Sequence, residues 1–370
     1  ENIQGTLVIW PGVAEEQLGT KAYYTRDGYF DEVDLCVFTH VSNNLGVSYG
    51  PASGTGMISV EYTFSGESAH SAGAPWRAKS AADAVELMNI GWQYNREHLH
   101  PLGRSHAVIT DGGDQPNVVP SKASIWYYFR EITYPKIMQM YERANEVAAG
   151  AALMTQTTLS SKILGSAWPR HFNKIIAETM YENILQVGLP EWSDDDQNLA
   201  KAVQEQVNSP SEIDGLAVAL DPIGLPITEP KSGGSDDIGD ISWKVPTVTL
   251  RYPSNIPGLQ GHHWSNAIAM ATPIAHKGVI SGAQVEAMTL LDFLLKPELV
   301  SQAWKYFDEE QASKQKYIPM VGAEDEPAVH LNTMIMENFA PKLKPFYYDE
   351  TKYDSYMEQL GITYPTLKKE

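Results

Sequence analysis

The chain is 370 residues long and carries 27 Lys and Arg against 46 Asp and Glu, a formal net charge of −19. So acidic a balance repels phosphate backbones and excludes nucleic-acid binding through a general basic surface. With 43 % apolar and 20 % charged residues the composition is globular, and no uninterrupted apolar run reaches the ~18 residues that suggest a membrane span.

The chain opens at Glu1 rather than Met and runs at once into an apolar stretch at 7–10, which predicts a short strand. A second apolar run, at 35–38, contains Cys36, the only cysteine. No intrachain disulfide is possible, and a buried, inert thiol is expected there. Further on, Ile58, Val60, Tyr62 and Phe64 alternate as in a half-buried strand. A helix is predicted over 78–98, with Ala82, Val85, Leu87, Met88 and Trp92 as its apolar positions. Strands at 106–110 and 123–130 follow, then a helix opened by Pro135 and a strand at 157–164. The order strand, helix, strand, strand, helix, strand is that of a split ferredoxin-like unit.

The flanks read differently. Short continuous apolar runs at 7–10, 35–38 and 248–250 suit a sheet buried on both faces. Helical periodicity accompanies them at 173–189, 197–207 and 282–295. The fold class is therefore α/β with an inserted ferredoxin-like α+β unit. Residues 1–55 and 168–297 form one α/β domain, 56–167 the insertion, and 298–370 a helix followed by an irregular extension.

Several groups could carry chemistry. Glu15 and Glu16 stand just after the first apolar run, where functional groups of open α/β sheets gather. Adjacent carboxylates there can divide their duties, one binding a metal and the other taking a proton from water; they can also simply complement a helix dipole. His40 ends the next apolar run, placed to join a carboxylate in a ligand pair. In the run GHHW (261–264), the glycine permits a tight turn that aims one of His262 and His263 inward. Gly233 and Gly234, in KSGGSDDIGD (231–240), can expose backbone N–H groups to a carboxylate or oxyanion. Inside the insertion stand His70, Asn117 and Arg130; strand alternation puts Arg130 on one face with Trp126 and Tyr128, opposite Ile125, Tyr127 and Phe129. No Gly-x-Ser-x-Gly elbow and no His-Glu-x-x-His helix occurs, which removes the usual serine-hydrolase and zincin readings.

Together these strings resemble the aminoacylase/carboxypeptidase family of metal-dependent amidohydrolases, and within it the aminobenzoyl-glutamate hydrolase B-subunit group. They are AEE (14–16), GYFD (28–31) leading to His40, SGESAHS (65–71) with APW (74–76), PNVVP (116–120), WYYFR (126–130), GSDDIGDISW (234–243) and GHHW (261–264). The likeness runs from about residue 3 to residue 297.

The resemblance implies a Zn-peptidase-like α/β catalytic domain with an inserted domain used for dimerisation, as a homodimer or with a related subunit. It implies one or two divalent ions, zinc or manganese, and hydrolysis of an N-acyl amino acid or dipeptide-like amide such as aminobenzoyl-glutamate. By that likeness Glu15 is the general base, and Glu16, His40 and His262 are metal ligands. His70 reaches the partner's site to polarise the scissile carbonyl, while Asn117, Arg130, Gly233 and Gly234 hold the substrate carboxylate. The family's long segment before the Glu-Glu turn, with its Cys/His ligand motif and bridging ligand, has no counterpart in these residues, so the catalytic domain is expected to be incomplete at its front. A second reading is a non-catalytic, carboxylate-binding or regulatory subunit; the joint presence of Glu15, Glu16, His40, His70 and His262 argues against it, since binding alone needs no base.

Overall fold

A computed structural model describes residues 3–229 and 231–367. Helix α1 (Glu15–Leu18) is followed by α2 (Lys21–Arg26), β1 (Cys36–Ser42) and β2 (Gly50–Pro51). The insertion then runs β3 (Gly56–Ser65), α3 (Ala81–Arg96), β4 (Arg104–Asp111), β5 (Lys122–Glu131), α4 (Tyr134–Thr155) and β6 (Thr158–Ala167). The chain returns through β7 (His171–Phe172), α5 (Lys174–Val187), α6 (Asp194–Gln206), α7 (Ile238–Ser242) and β8 (Thr247–Pro253). It ends with α8 (Trp264–Met270), α9 (Pro273–Leu295), α10 (Pro297–Tyr306), α11 (Thr333–Leu343) and α12 (Tyr356–Gln359).

The insertion forms an antiparallel sheet of order β4-β5-β3-β6, the ferredoxin-like arrangement, with α3 and α4 packed on one face. Alternation on β3 and β5 buries Ile58, Val60, Tyr62, Phe64, Ile125, Tyr127 and Phe129 against Val85, Met88 and Trp92 of α3 and Ile137 and Ala144 of α4. Ser80 caps α3 by accepting from the Asp83 N–H at 3.2 Å.

The flanking body rests on β1 and β8, paired in parallel with Cys36 opposite Thr247 and His40 opposite Arg251. Val248 and Leu250 are buried with Ile176, Met180 and Ile184 of α5 and Val285 and Phe293 of α9. Length and composition alone would let α9 cross a membrane. One face packs on β8 and α5, close enough that a Cβ on Gly278 would collide with the Pro253 carbonyl, while Val279, Ile280, Leu291 and Leu295 are exposed. Burial pushes the Cys36 thiol up to about 12, as an inert thiol requires.

Two expectations fail. Residues 7–10 are not a strand: no ladder partner lies beside them among the described residues, and Leu7, Val8 and Ile9 are exposed. Apolar character cannot make a strand without a neighbour to satisfy its backbone. The segment after 297 is more ordered than an irregular extension, because polar side chains tie it to the body. Tyr317 Oη donates to Asp240 Oδ1 at 2.9 Å, Gln311 Nε2 to the Ser242 carbonyl at 2.7 Å, and Tyr364 Oη to Asp196 Oδ1 at 2.7 Å.

Candidate active site

Widely separated stretches of chain converge on one pocket of about 380 Å³, lined by Glu15, Glu16, His40, Ser53, Gly54, Arg170, residues 231–236, Arg251 and His262. It lies beyond the carboxyl ends of β1 and β8, where the open α/β rule places ligands.

Ala14 turns the chain through the left-handed region at φ 46°, so that Glu15 and Glu16 open α1 at the pocket wall. Glu15 is half-buried, and Glu16 is exposed. Loss of hydration, then the carboxylates of Asp237, Asp236 and Glu16, push the Glu15 pKa from 4.5 up to about 7, with Lys21 opposing. Behind Glu15, the buried Asp237 accepts from Lys21 Nζ at 2.6 Å and from the Lys21 backbone N–H at 3.1 Å. Burial raises Asp237 as well, and Lys21 offsets part of that rise. Carboxylate oxygens of Glu15, Asp236 and Asp237 lie within 4.8 Å of one another. The Lys21 ammonium already supplies a cation there.

His40 sits on β1 with Nδ1 2.7 Å from the Val41 carbonyl. A carbonyl only accepts, so Nδ1 carries the proton and Nε2 keeps the lone pair. His262, itself at φ 56°, places Nε2 3.6 Å from Glu16 Oε2, with both side chains largely solvated. Its neighbour His263 is spent elsewhere, capping α8 by accepting from the Ser265 N–H.

Gly54 sits at φ 106°, and a Cβ there would come within 2.5 Å of the Gly234 carbonyl. That close approach lets Thr55 donate from N to the Gly234 carbonyl at 3.2 Å and from Oγ1 to the Gly233 carbonyl at 2.9 Å. The carbonyls of Gly233 and Gly234 are thus tied down, while their N–H groups make no hydrogen bond among the described residues. Arg130 reaches this loop from β5, donating from Nη1 to Ser235 Oγ at 2.9 Å with its guanidinium over Tyr128.

His70 and Asn117 are not brought to the pocket. They lie together in the insertion, where the Ser71 N–H donates to the Asn117 carbonyl at 3.0 Å, beside a separate cavity of about 570 Å³. His70 Nδ1 accepts from the N–H groups of Ala72 and Gly73, both at 3.1 Å. Neutral His70 therefore carries its proton on Nε2, ready to donate.

Sequence reasoning missed Arg170 and Arg251 as pocket residues, and it took the string 231–240 for its glycines rather than for Lys231 and Asp236. Arg251 carried a usable signal, standing at the carboxyl end of the 248–250 run as His40 stands after 35–38. Arg170 carried none, since it reaches the pocket from the link between β6 and β7.

Comparison with known proteins agrees with this architecture. Residues 54–151 match the peptidase dimerisation domain of the M20 type. The chain is 29 % identical over 322 residues to the B-type chain of p-aminobenzoyl-glutamate hydrolase from Escherichia coli, covering 81 % of this chain and 66 % of that protein. It is 26 % identical over 302 residues to the Xaa-Arg dipeptidase of Mus musculus, covering 81 % and 62 %. The chain thus spans a little under two thirds of these relatives' length. In fold it is similar to a putative aminohydrolase from methicillin-resistant Staphylococcus aureus, with TM-score 0.50 and 17 % identity over 76 % of this chain and 65 % of that one. The chain thus carries an M20-type peptidase dimerisation domain set into an α/β body, and in sequence it is similar to a hydrolase and a dipeptidase.

Proposed function

We propose that the pocket hydrolyses the amide bond of an N-acyl amino acid or dipeptide-like substrate, of which aminobenzoyl-glutamate is one example, with the aid of a divalent ion. The observation that carries this reading is the convergence of Glu15, Glu16, His40 and His262 on one pocket from distant parts of the chain.

The donor set suits zinc or manganese: one carboxylate and two imidazoles, with the His40 ring oriented by the Val41 carbonyl so that Nε2 is the free donor. Glu16 and His262 already approach within 3.6 Å. We assign the ion to Glu16, His40 and His262, although their three ligand atoms are not gathered within 4.8 Å of one another, because Lys21 already occupies Asp237 in the tighter group of Glu15, Asp236 and Asp237. When bound, such an ion supplies Lewis acidity toward water and the scissile carbonyl.

Glu15, half out of water and with a pKa near neutrality, takes the proton of the attacking water and returns it to the leaving amine. The free N–H groups of Gly233 and Gly234, with Arg130 held at Ser235, receive the substrate carboxylate. His70, donating from Nε2, serves the oxyanion of a partner subunit's substrate, with Asn117 beside it. On this reading the catalytic body is 1–55 with 168–297, the insertion 56–167 pairs two identical or related subunits, and 298–370 braces the body.

The test is Glu15→Gln in the metal-loaded protein, assayed on a panel of N-acyl amino acids with metal binding followed by calorimetry. Turnover is expected to fall by roughly 10³-fold while metal affinity is kept. Undiminished turnover would remove Glu15 as the base, and a parent protein that binds no divalent ion would end the proposal.

A further inference from the structure

Arg251 is the half-buried guanidinium of the pocket that no acceptor holds among the described residues. Arg251 stands opposite His40 in the parallel register of β1 and β8, so the two side chains leave the sheet on the same side. Its backbone is clamped on both sides by Gly46, which accepts from the Arg251 N–H at 2.8 Å and donates to the Arg251 carbonyl at 2.9 Å. The side chain is half-buried, yet its guanidinium makes no hydrogen bond or ion pair among the described residues. Arg170, the neighbouring guanidinium, is committed: it donates from Nη2 to the Ser53 carbonyl at 2.6 Å and faces Asp236 at 3.7 Å. Burial and Arg170 both disfavour the charge on Arg251, and Asp236 alone supports it.

Five N–H donors in a rigid fork, half out of water and unpaired, call for a planar anion. Asp236 acts on Arg251 only at a distance, and no carboxylate of the pocket accepts a hydrogen bond from it among the described residues. Its position also says which part of the substrate would bring one. The stretch from Gly233 to Asp236 joins the proposed seat of the substrate's α-carboxylate, at Gly233, Gly234 and the Arg130–Ser235 contact, to the surroundings of Arg251. The amino-acid half of the substrate lies along that wall.

We infer that Arg251 is a specificity-determining residue whose guanidinium receives a second carboxylate, on the side chain of the amino acid, so that the pocket prefers N-acyl derivatives of acidic amino acids. This rests on the hydrolase reading above. It goes further in assigning the residue that reads the side-chain carboxylate.

The experiment compares kcat/KM for N-acyl-glutamate and its neutral isostere N-acyl-glutamine in the metal-loaded parent, Arg251→Met and Arg251→Lys proteins. The parent should prefer glutamate by roughly 100-fold, mainly through KM, and Arg251→Met should bring the ratio close to one. Arg251→Lys keeps the charge without the fork and should retain part of the preference. Equal loss on both substrates in Arg251→Met, or a parent without preference, overturns the assignment. So does a loss confined to a carboxylate on the acyl half, read from N-succinyl against N-butyryl substrates. Calorimetry with glutarate separates this inference from the hydrolase reading. If no substrate is cleaved the hydrolase reading fails, whereas equal glutarate affinity in parent and Arg251→Met proteins defeats the role of Arg251.

Discussion

The insertion and the body that flanks it solve the same packing problem in opposite ways. The core of the insertion is drawn from one continuous stretch, β3 through α4, with Trp168 and Met320 as the outside contributors. Its sheet has four strands in antiparallel register, and every strand pairing lies within that one stretch and its closing strand β6. The body joins β1 to β8 across the whole insertion, and its core needs α5, α9 and α10 to close over two strands. The chemistry divides in the same way. Glu15, Glu16, His40, Arg251 and His262 all belong to the discontinuous body, whereas the insertion offers only Arg130 toward the pocket and keeps His70 and Asn117 apart. A locally closed unit makes a rigid support; a unit closed by distant pairings brings remote side chains into one pocket.

The comparison is broken most directly at Trp92. Its ring is fully buried, donates from Nε1 to Ser105 Oγ at 2.8 Å, and meets Phe129 and Tyr127 edge-on. Trp92→Ala should cost about 3–5 kcal/mol in urea unfolding of the insertion. A cost below about 1 kcal/mol would mean that the insertion's core can collapse around the loss and is not the rigid support described.

How much of this was legible from sequence follows the same division. Residues 58, 60, 62 and 64 alternate cleanly because β3 has one buried and one half-open face, and the predicted helix over 78–98 is observed as Ala81–Arg96. Arg130 falls on the face shared with Tyr128 for the same reason. In the body, period was a poorer guide. The run at 7–10 has the same apolar character as 248–250, but only the latter has a neighbouring strand. Helix α9 begins at Pro273, well before the apolar period at 282–295: Gly278 meets β8 at Pro253 without a side chain, and Ile274 packs with Leu199 and Val203 of α6 instead. At the site, the Glu15–Glu16 and GHHW strings announced themselves through local chemistry. Arg170 did not, because long-range chain return, not local pattern, places it.

A smaller effect concerns how the body is braced. Asp240 is wholly buried, accepting from the Trp168 N–H at 3.0 Å and from Tyr317 Oη at 2.9 Å. Burial, opposed by those bonds and aided by Asp237, pushes its pKa from 3.8 up to about 7. The folded protein therefore holds a proton that the unfolded chain has already released, and stability from this group declines as pH rises through that window. The parent should lose roughly 3 kcal/mol between about pH 4.5 and 7 relative to Asp240→Asn, whose amide titrates nowhere. Parallel stability–pH curves for the two proteins would show that Asp240 ionises normally and that the brace from Tyr317 is not what the burial implies.

The smallest effect probes the edge of the body, where apolar sequence and strand structure part company. Trp10 packs against Tyr24, Tyr29 and Phe30 with centroids 5.2–5.6 Å away, so the 7–10 run is anchored at one end. Ile9, one residue earlier, is 86 % exposed and has no ladder partner among the described residues. Ile9→Ser therefore removes little buried surface and should alter stability by less than about 0.5 kcal/mol in urea unfolding. A strand covered on both faces would instead lose about 2 kcal/mol or more from the same substitution, through lost apolar burial together with a newly buried hydroxyl. A loss of that size would mean the run is paired after all, and the body would then resemble the insertion in having a sheet wider than the β1–β8 pair.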